Sequence, residues 1–250
     1  MNSIDINCDL GESYGQFKKG NDDAVFPYIS SCNIACGFHG GDPYHMEKTI
    51  ESAIKHKVQI GAHPSYPDLA GFGRRKIDIP AEELKSQIKY QIAALKGMAE
   101  SKGAKMNYVK AHGALYNEIA HNSKEAEVFL QAVKEIDPRL AIMGLAGSPF
   151  QEQAQKAGFK FIREGFLDRR YLKNGKLMSR KEKGSVLESV DESLMQLKLI
   201  TEEHVVKTSS GRNIPLEIDS LCIHGDNPLA EEILKTIISN SNIEIKAFSI

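Results

Sequence analysis

Residues 58–65 read VQIGAHPS, an apolar run that ends on His63 and turns at once into Pro64. A strand that stops at a polar side chain, turns, and leads into a helix is how a (β/α) barrel presents reactive groups at one rim. The arrangement recurs three times, at 34–41 (IACGFHGG), 108–114 (YVKAHGA) and 220–226 (SLCIHGD). Half of the eight histidines thus share one local context, which points to an enzyme whose site is a ring of strand ends.

Outward from these runs, the apolar period alternates between strand and helix. Residues 4–8 and 33–36 read as strands. The segment after Asp42 places Met46, Ile50, Ala53 and Ile54 on one helical face, with Asp42 as N-cap and Pro43 in the first turn. After the strand at 58–62 comes a Gly/Pro loop around 64–79, too long to be only a connector. Pro80 then opens a helix carrying Leu84, Ile88, Ile92 and Leu95 in register. Further strands are expected at 106–111, 140–145, 159–163 and 220–223. Asn122 with Glu125 resembles a capping box, Ser148-Pro149 starts another helix that Gly158 closes, 185–201 forms a third, and Asn227-Pro228 opens the last. A polar, basic excursion over 168–180 crosses the barrel mouth, a small β-hairpin spans 204–218, and IEIKAF at 243–248 offers one further strand. The alternation has no break in composition, so the chain reads as one (β/α)-barrel domain over 1–250 with a mainly parallel sheet of seven or eight strands. No strand-linked G-x-G-x-x-G favours an open dinucleotide-binding sheet.

Composition narrows the function classes. The 250 residues are 41% hydrophobic, enough for a full core, and the net charge of −1 argues against nucleic acid or an anionic membrane as the main partner. No apolar stretch approaches a membrane span, and the opening MNSIDINCDLGE lacks a basic-then-apolar signal, so a cytoplasmic location is expected. Cys8, Cys32, Cys36 and Cys222 form no C-x-x-C and read as buried thiols.

The strand ends deliver Asn7, Cys8, Asp9 and Glu12, then His39 and Asp42, His63 and Asp68, Lys110 and His112, Glu164 and Asp168, and His224 and Asp226. Imidazoles and carboxylates converging on one rim relay protons near neutral pH or hold a divalent metal. For Asp42 and Asp226, near helix starts, capping is the competing explanation. Arg74, Arg75, Arg163, Arg169 and Arg170 offer paired hydrogen bonds to a carboxylate or phosphate, with Arg75 and Arg170 read as surface charges. The sequence lacks H-E-x-x-H and the P-loop G-x-x-x-x-G-K-[ST], so no ATP-phosphate cradle of a familiar kind is present.

The blocks Ile6–Glu12 (INCDLGE), Asn33–Asp42 (NIACGFHGGD), GAHPS with GFGR at 61–65 and 71–74, HGALYN at 112–117, Asp168-Arg169 with Tyr171, and His224-Gly225-Asp226 together resemble the LamB/YcsF family along nearly the whole chain. Ala111 stands where that family usually has proline, and Leu167 where it has a small residue. The resemblance implies an irregular seven-stranded barrel of the glycoside hydrolase/deacetylase type. It implies a component of an ATP-dependent 5-oxoprolinase, which opens the lactam of 5-oxo-L-proline to L-glutamate with two partner subunits and ATP as co-substrate. On it rest a catalytic set of Asp9, Glu12, His63 and His112 and a divalent-metal site at Asp9, His63 and His112. His39, Arg74, Lys110, Asp168, Arg169 and His224 are the corresponding candidates for holding substrate or phosphate. Two other classes remain open: a metal-dependent deacetylase or amide hydrolase acting alone without ATP, and a non-catalytic scaffold subunit.

Overall fold

In β1 (Ser3–Leu10) the sequence alternates polar and apolar residues, yet from its second residue onward the strand is buried. The apolar set, Ile4, Ile6, Cys8 and Leu10, joins the main hydrophobic core. The polar set, Asp5, Asn7 and Asp9, bonds to side chains of other strands across the barrel interior. The computed structural model describes residues 3–240 and 243–249. Residues 1, 2, 241, 242 and 250, which the expected span includes, lie outside the described residues.

The remaining elements follow as strand and helix: α1 (Asp22–Val25) and a 3-10 turn (Phe26–Tyr28), β2 (Ser31–Ala35), α2 (Pro43–His56), β3 (Gln59–His63), α3 (Ala81–Ser101), β4 (Met106–Lys110), α4 (Gly113–Ile119) and α5 (Ser123–Ile136). Then come β5 (Ala141–Leu145), α6 (Pro149–Lys156), β6 (Phe161–Phe166), α7 (Val190–Glu203), β7 (Val205–Lys207), β8 (Asn213–Pro215), β9 (Ser220–His224), α8 (Ala230–Asn240) and β10 (Glu244–Ile245). Strands β1 to β6 pair in parallel and in chain order, and β9 closes the ring by pairing with both β6 and β1. This is a closed seven-stranded (β/α) barrel, within the seven or eight strands read from the apolar period and as the family resemblance implies. β7 and β8 form an antiparallel pair outside the ring, and β10 adds to the start of β1. No helix among the described residues is long and apolar enough to cross a membrane.

Several local expectations are corrected. Asp42 caps α2 through His45 N, but Ile54 stands 43% exposed instead of joining the buried face. Asn122 accepts from Lys124 N and Glu125 N, whereas Glu125 accepts from Tyr66 OH instead of closing a reciprocal box. Ser148 and Pro149 start α6 as read, although the Ser148 hydroxyl donates to the Leu145 carbonyl and makes no cap bond. The helix expected from 185 begins at Val190, with Ser189 as its cap. α4 follows His112 directly, where the glycine had read as a turn only.

The barrel bottom holds a small apolar layer of Tyr108, Ala141, Met143 and Ile162, against which Phe248 packs. Gly61 makes room for it, because a Cβ there would run into the Tyr108 ring. Beside that layer, Asp5 accepts from Ser30 and Ser31 at 2.6 Å and from Ser220. Burial pushes the Asp5 carboxyl up to about 6 against these hydroxyl bonds. The folded state therefore holds this proton beyond the unfolded value of 3.8, and the associated stability is complete below about pH 4 and lost as pH rises through about 6. Asp5→Asn, which does not titrate, is expected to gain about 3 kcal/mol relative to the wild type between pH 4 and pH 7, measured by urea unfolding. Parallel pH dependences in the two proteins would contradict the assignment.

Candidate active site

Lys110, at the end of β4, projects into the barrel interior and is 2% exposed. Its ammonium lies 2.9 Å from Asp9 Oδ1, 2.7 Å from Glu164 Oε1, 3.2 Å from Asn7 Oδ1 and 3.3 Å from Cys222 Sγ. Burial alone would lower its pKa, but the Asp9 and Glu164 charges outweigh that and hold it well above the usual lysine range. For Asp9, burial is likewise outweighed, by His63 and Lys110, and the carboxyl stays well below its ordinary range. Asn33 donates to Asp9 Oδ1 at 2.8 Å and to Asn7 Oδ1 at 2.7 Å, and receives the Tyr108 hydroxyl at 2.7 Å.

Above this layer sit the imidazoles. His63 Nδ1 is 2.8 Å from the Lys110 carbonyl and His112 Nε2 is 3.0 Å from the Phe72 carbonyl. A carbonyl only accepts, so both nitrogens carry hydrogen, and in the neutral rings the opposite nitrogens are bare lone pairs. Those two, His63 Nε2 and His112 Nδ1, face each other at 3.0 Å. Asp9 Oδ2 lies 3.3 Å from the first and Glu12 Oε1 3.7 Å from the second. Burial holds His112 well below its usual range, with repulsion from His39 and His63 adding to it. Burial, then the Asp9 charge, pushes the Glu12 carboxyl up to about 7. Lone pairs set this close, on His63 Nε2 and His112 Nδ1 with a carboxylate beside each, require a proton or a cation among them. The His39 ring stacks on His112 at 3.7 Å, its Nε2 is 3.4 Å from Glu12 Oε1, and burial takes its pKa down to about 3.

His224, ending β9, turns Nδ1 to Asp168 Oδ1 at 2.8 Å, and Asn227 holds the same carboxylate at 3.1 Å. That leaves Nε2 toward a cavity of about 570 Å³, which His63, His112, Asp9, Glu12 and Lys110 also line. Loop 64–79 folds over the opening. Asp68 ties it through Gly71 N and Arg75, and Gly73, at φ +62, leaves no room for a Cβ beside His112 Cδ2, 2.7 Å away. The loop thereby delivers both the Phe72 carbonyl and Arg74 to the site.

A model of the LamB/YcsF family matches residues 4–249. This chain belongs to the LamB/YcsF family. The protein of Photorhabdus laumondii named as the A component of 5-oxoprolinase is 44% identical over 251 residues, covering 99% of this chain and 100% of its own. The protein of the same name from Bacillus cereus (strain AH187) is 44% identical over 238 residues, covering 95% and 94%. The crystal structure of a lactam utilization protein from Thermus thermophilus superposes with a TM-score of 0.92 at 37% identity, covering 98% of this chain and 100% of that one. A putative cellobiose-phosphate cleavage protein from Enterococcus faecalis V583, at 13% identity, TM-score 0.57 and 98% and 97% coverage, shares the fold alone.

In this LamB/YcsF chain, Asp9, Glu12, His63, Arg74, Lys110, His112, Arg169 and His224 all line the one cavity. His39 and Asp168, read as substrate or phosphate holders, lie behind the wall: His39 is stacked beneath His112, and Asp168 is spent on His224 and Asn227. The expected metal trio Asp9, His63 and His112 is also divided. Among the described residues, the donor atoms that lie within 4.8 Å of one another belong to Glu12, His39, His63 and His112 in one group and to Asp9, Cys222 and His224 in another. In the second group the Lys110 ammonium already stands as the cation. Sequence reasoning left Asn33 and Tyr108 out of the site and placed Asn7 and Glu164 at strand ends without giving them a role. Their signal was polarity at inward positions of otherwise apolar strands. All four cysteines are buried and free.

Replacing Lys110 by Met strands two buried carboxylates and is expected to cost about 3–5 kcal/mol, with partial recovery on adding Glu164→Gln. Urea midpoints check this, and a Lys110→Met protein as stable as the wild type would refute it.

Proposed function

We propose that this chain is the lactam-opening component of a 5-oxoprolinase, converting 5-oxo-L-proline to L-glutamate with ATP as co-substrate and two partner subunits. The observation that carries the reading is the His63–His112 pair, whose inner nitrogens face each other at 3.0 Å on a cavity floor beside two carboxylates. The names of the 44%-identical relatives and of the Thermus structure support the choice of substrate.

A five-membered lactam is a resonance-stabilised amide and a poor electrophile. Transfer of the γ-phosphoryl group to the lactam oxygen activates it, a task for the partner subunits because this chain has no P-loop. One water then adds to the carbonyl carbon and the C–N bond breaks, leaving an acyl phosphate; a second water releases phosphate and glutamate. His63 Nε2 or His112 Nδ1 takes the attacking water's proton, and a protonated His63 Nε2 then finds Asp9 Oδ2 at 3.3 Å. His224, held at Nδ1 by Asp168, gives the departing ring nitrogen the proton it needs from Nε2 when the ring is an imidazolium, and ends as the neutral Nδ1–H form paired with Asp168. Lys110 keeps Asp9 ionised.

The donors Glu12, His39, His63 and His112 fit a divalent ion such as Zn2+: three imidazoles and a carboxylate, with both His39 nitrogens lacking a hydrogen-bond partner. When bound, such an ion supplies Lewis-acid polarisation of an oxygen and lowers the pKa of water.

Glutamate formation is expected from this chain mixed with its two partners and ATP, and from neither component alone. His112→Ala should lower it by about 10²–10⁴-fold. Turnover by the isolated chain without ATP would establish a self-sufficient amide hydrolase instead, and wild-type turnover in His112→Ala would remove the proposed base. Zn2+ is expected to raise the melting temperature of the wild-type chain and not that of His39→Ala; equal shifts would discard the four-residue ion site.

A further inference from the structure

The cavity floor carries the imidazoles and carboxylates, but the roof is cationic. After β6 the chain leaves the barrel at Leu167 and returns over the opening, so that Arg169, Lys176, Arg180 and Lys181 line the cavity together with Arg74 from loop 64–79. Arg169 is the unusual member. It is 6% exposed, its Nη2 donates to the Met178 carbonyl at 2.5 Å, and its Nε points to the Ser185 carbonyl at 3.4 Å. Among the described residues it has no carboxylate at ion-pair distance. The nearby acids are engaged elsewhere: Asp168 with His224 and Asn227, Asp226 with Arg74 and Lys19. A guanidinium carries five N–H donors, so a buried one bonded only to two carbonyls keeps donors to spare and its charge uncompensated, which is costly unless an anion completes it. Burial, and next the Arg180 charge, pulls its pKa down to about 10.

We propose that Arg169 and Arg180 form a binding site for a phosphoryl dianion in the cavity roof. Charge selects this class over a carboxylate. Arg74 is matched by Asp226, so the two remaining guanidiniums call for two negative charges, and a forked donor suits phosphate oxygens. Size agrees, because a volume of about 570 Å³ suits a ligand larger than a five-membered lactam. A phosphoryl group on the lactam oxygen can occupy the roof while the ring lies against the imidazoles. That carrier rests on the function proposed above; the anion site itself does not.

The test is calorimetric titration of the full-length chain with inorganic phosphate at low salt, with acetate as the monoanion. The wild type should bind one phosphate saturably and acetate at least about tenfold more weakly. Arg169→Gln and Arg180→Gln should each weaken phosphate by about tenfold or more, whereas Arg212→Gln, an equal change of charge at an exposed position outside the cavity lining, should not. If Arg169→Gln fails to fold, Arg180→Gln decides alone. Absence of saturable binding, unchanged affinity in Arg180→Gln, or equal loss in Arg212→Gln would overturn the site. Phosphate binding without glutamate formation in the reconstituted mixture would leave the site standing and remove the lactam reading. Glutamate formation without phosphate binding would do the reverse. Within a confirmed site, displacement of phosphate by ATP assigns it to nucleotide phosphates, and its absence to a phosphoryl group carried on the lactam.

Discussion

A single ammonium inside the barrel sets the terms for everything above it. Lys110 stands between Asp9 and Glu164, at 2.9 and 2.7 Å, with Asn7 and Cys222 completing its surroundings. A (β/α) barrel ordinarily fills its interior with branched apolar side chains. Here the inward positions of β1, β2, β4, β6 and β9 are largely polar, and such a layer is tolerable only when each group finds a partner. The ammonium supplies the counter-charge for two carboxylates held away from water, and keeps Asp9 ionised there. It also ties opposite walls of the ring together, so that Asp9 is presented to His63 at a defined height.

The backbone does the second part of the work. The orientation of His63 is set by the carbonyl of Lys110 itself, and that of His112 by the carbonyl of Phe72, which a loop from another part of the chain brings down. Once both outer nitrogens donate, the inner two face each other, and a proton or a cation must stand between them. The chemical potential of the site, an affinity for a proton or a cation, therefore follows from two carbonyl positions and not from the histidines alone. His39 and Asp168 belong to the same logic. Neither reaches the cavity, yet one backs His112 by stacking and the other fixes the ring of His224.

Much of the fold was legible because its signals are local. The seven barrel strands, the caps Asp42 and Asn122, and the hairpin at β7 and β8 all announce themselves within a few residues of where they form. α4 was missed because Gly113 reads as a turn. Its backbone position, at φ +55 and tight against Gly73 O, is decided by a loop some forty residues earlier in the chain. Glu125 failed to close a capping box for a similar reason: the hydroxyl of Tyr66 competed for it and won.

The sequence by itself determined which residues stand at strand ends, because the apolar period and the turn that follows are properties of neighbouring residues. It thereby determined the barrel and the ring of imidazoles and carboxylates. Only the tertiary structure decided which of those residues share a point in space. Closure of β9 onto both β1 and β6 placed Glu164, Lys110 and Asp9 together, and the fold of loop 64–79 joined His112 to Phe72. Glu12, His39, His63 and His112 thus form one donor group from which Asp9 is held apart, because the Lys110 charge claims it first. Distances across a closed ring depend on strand register and loop path, and neither is encoded by spacing along the chain.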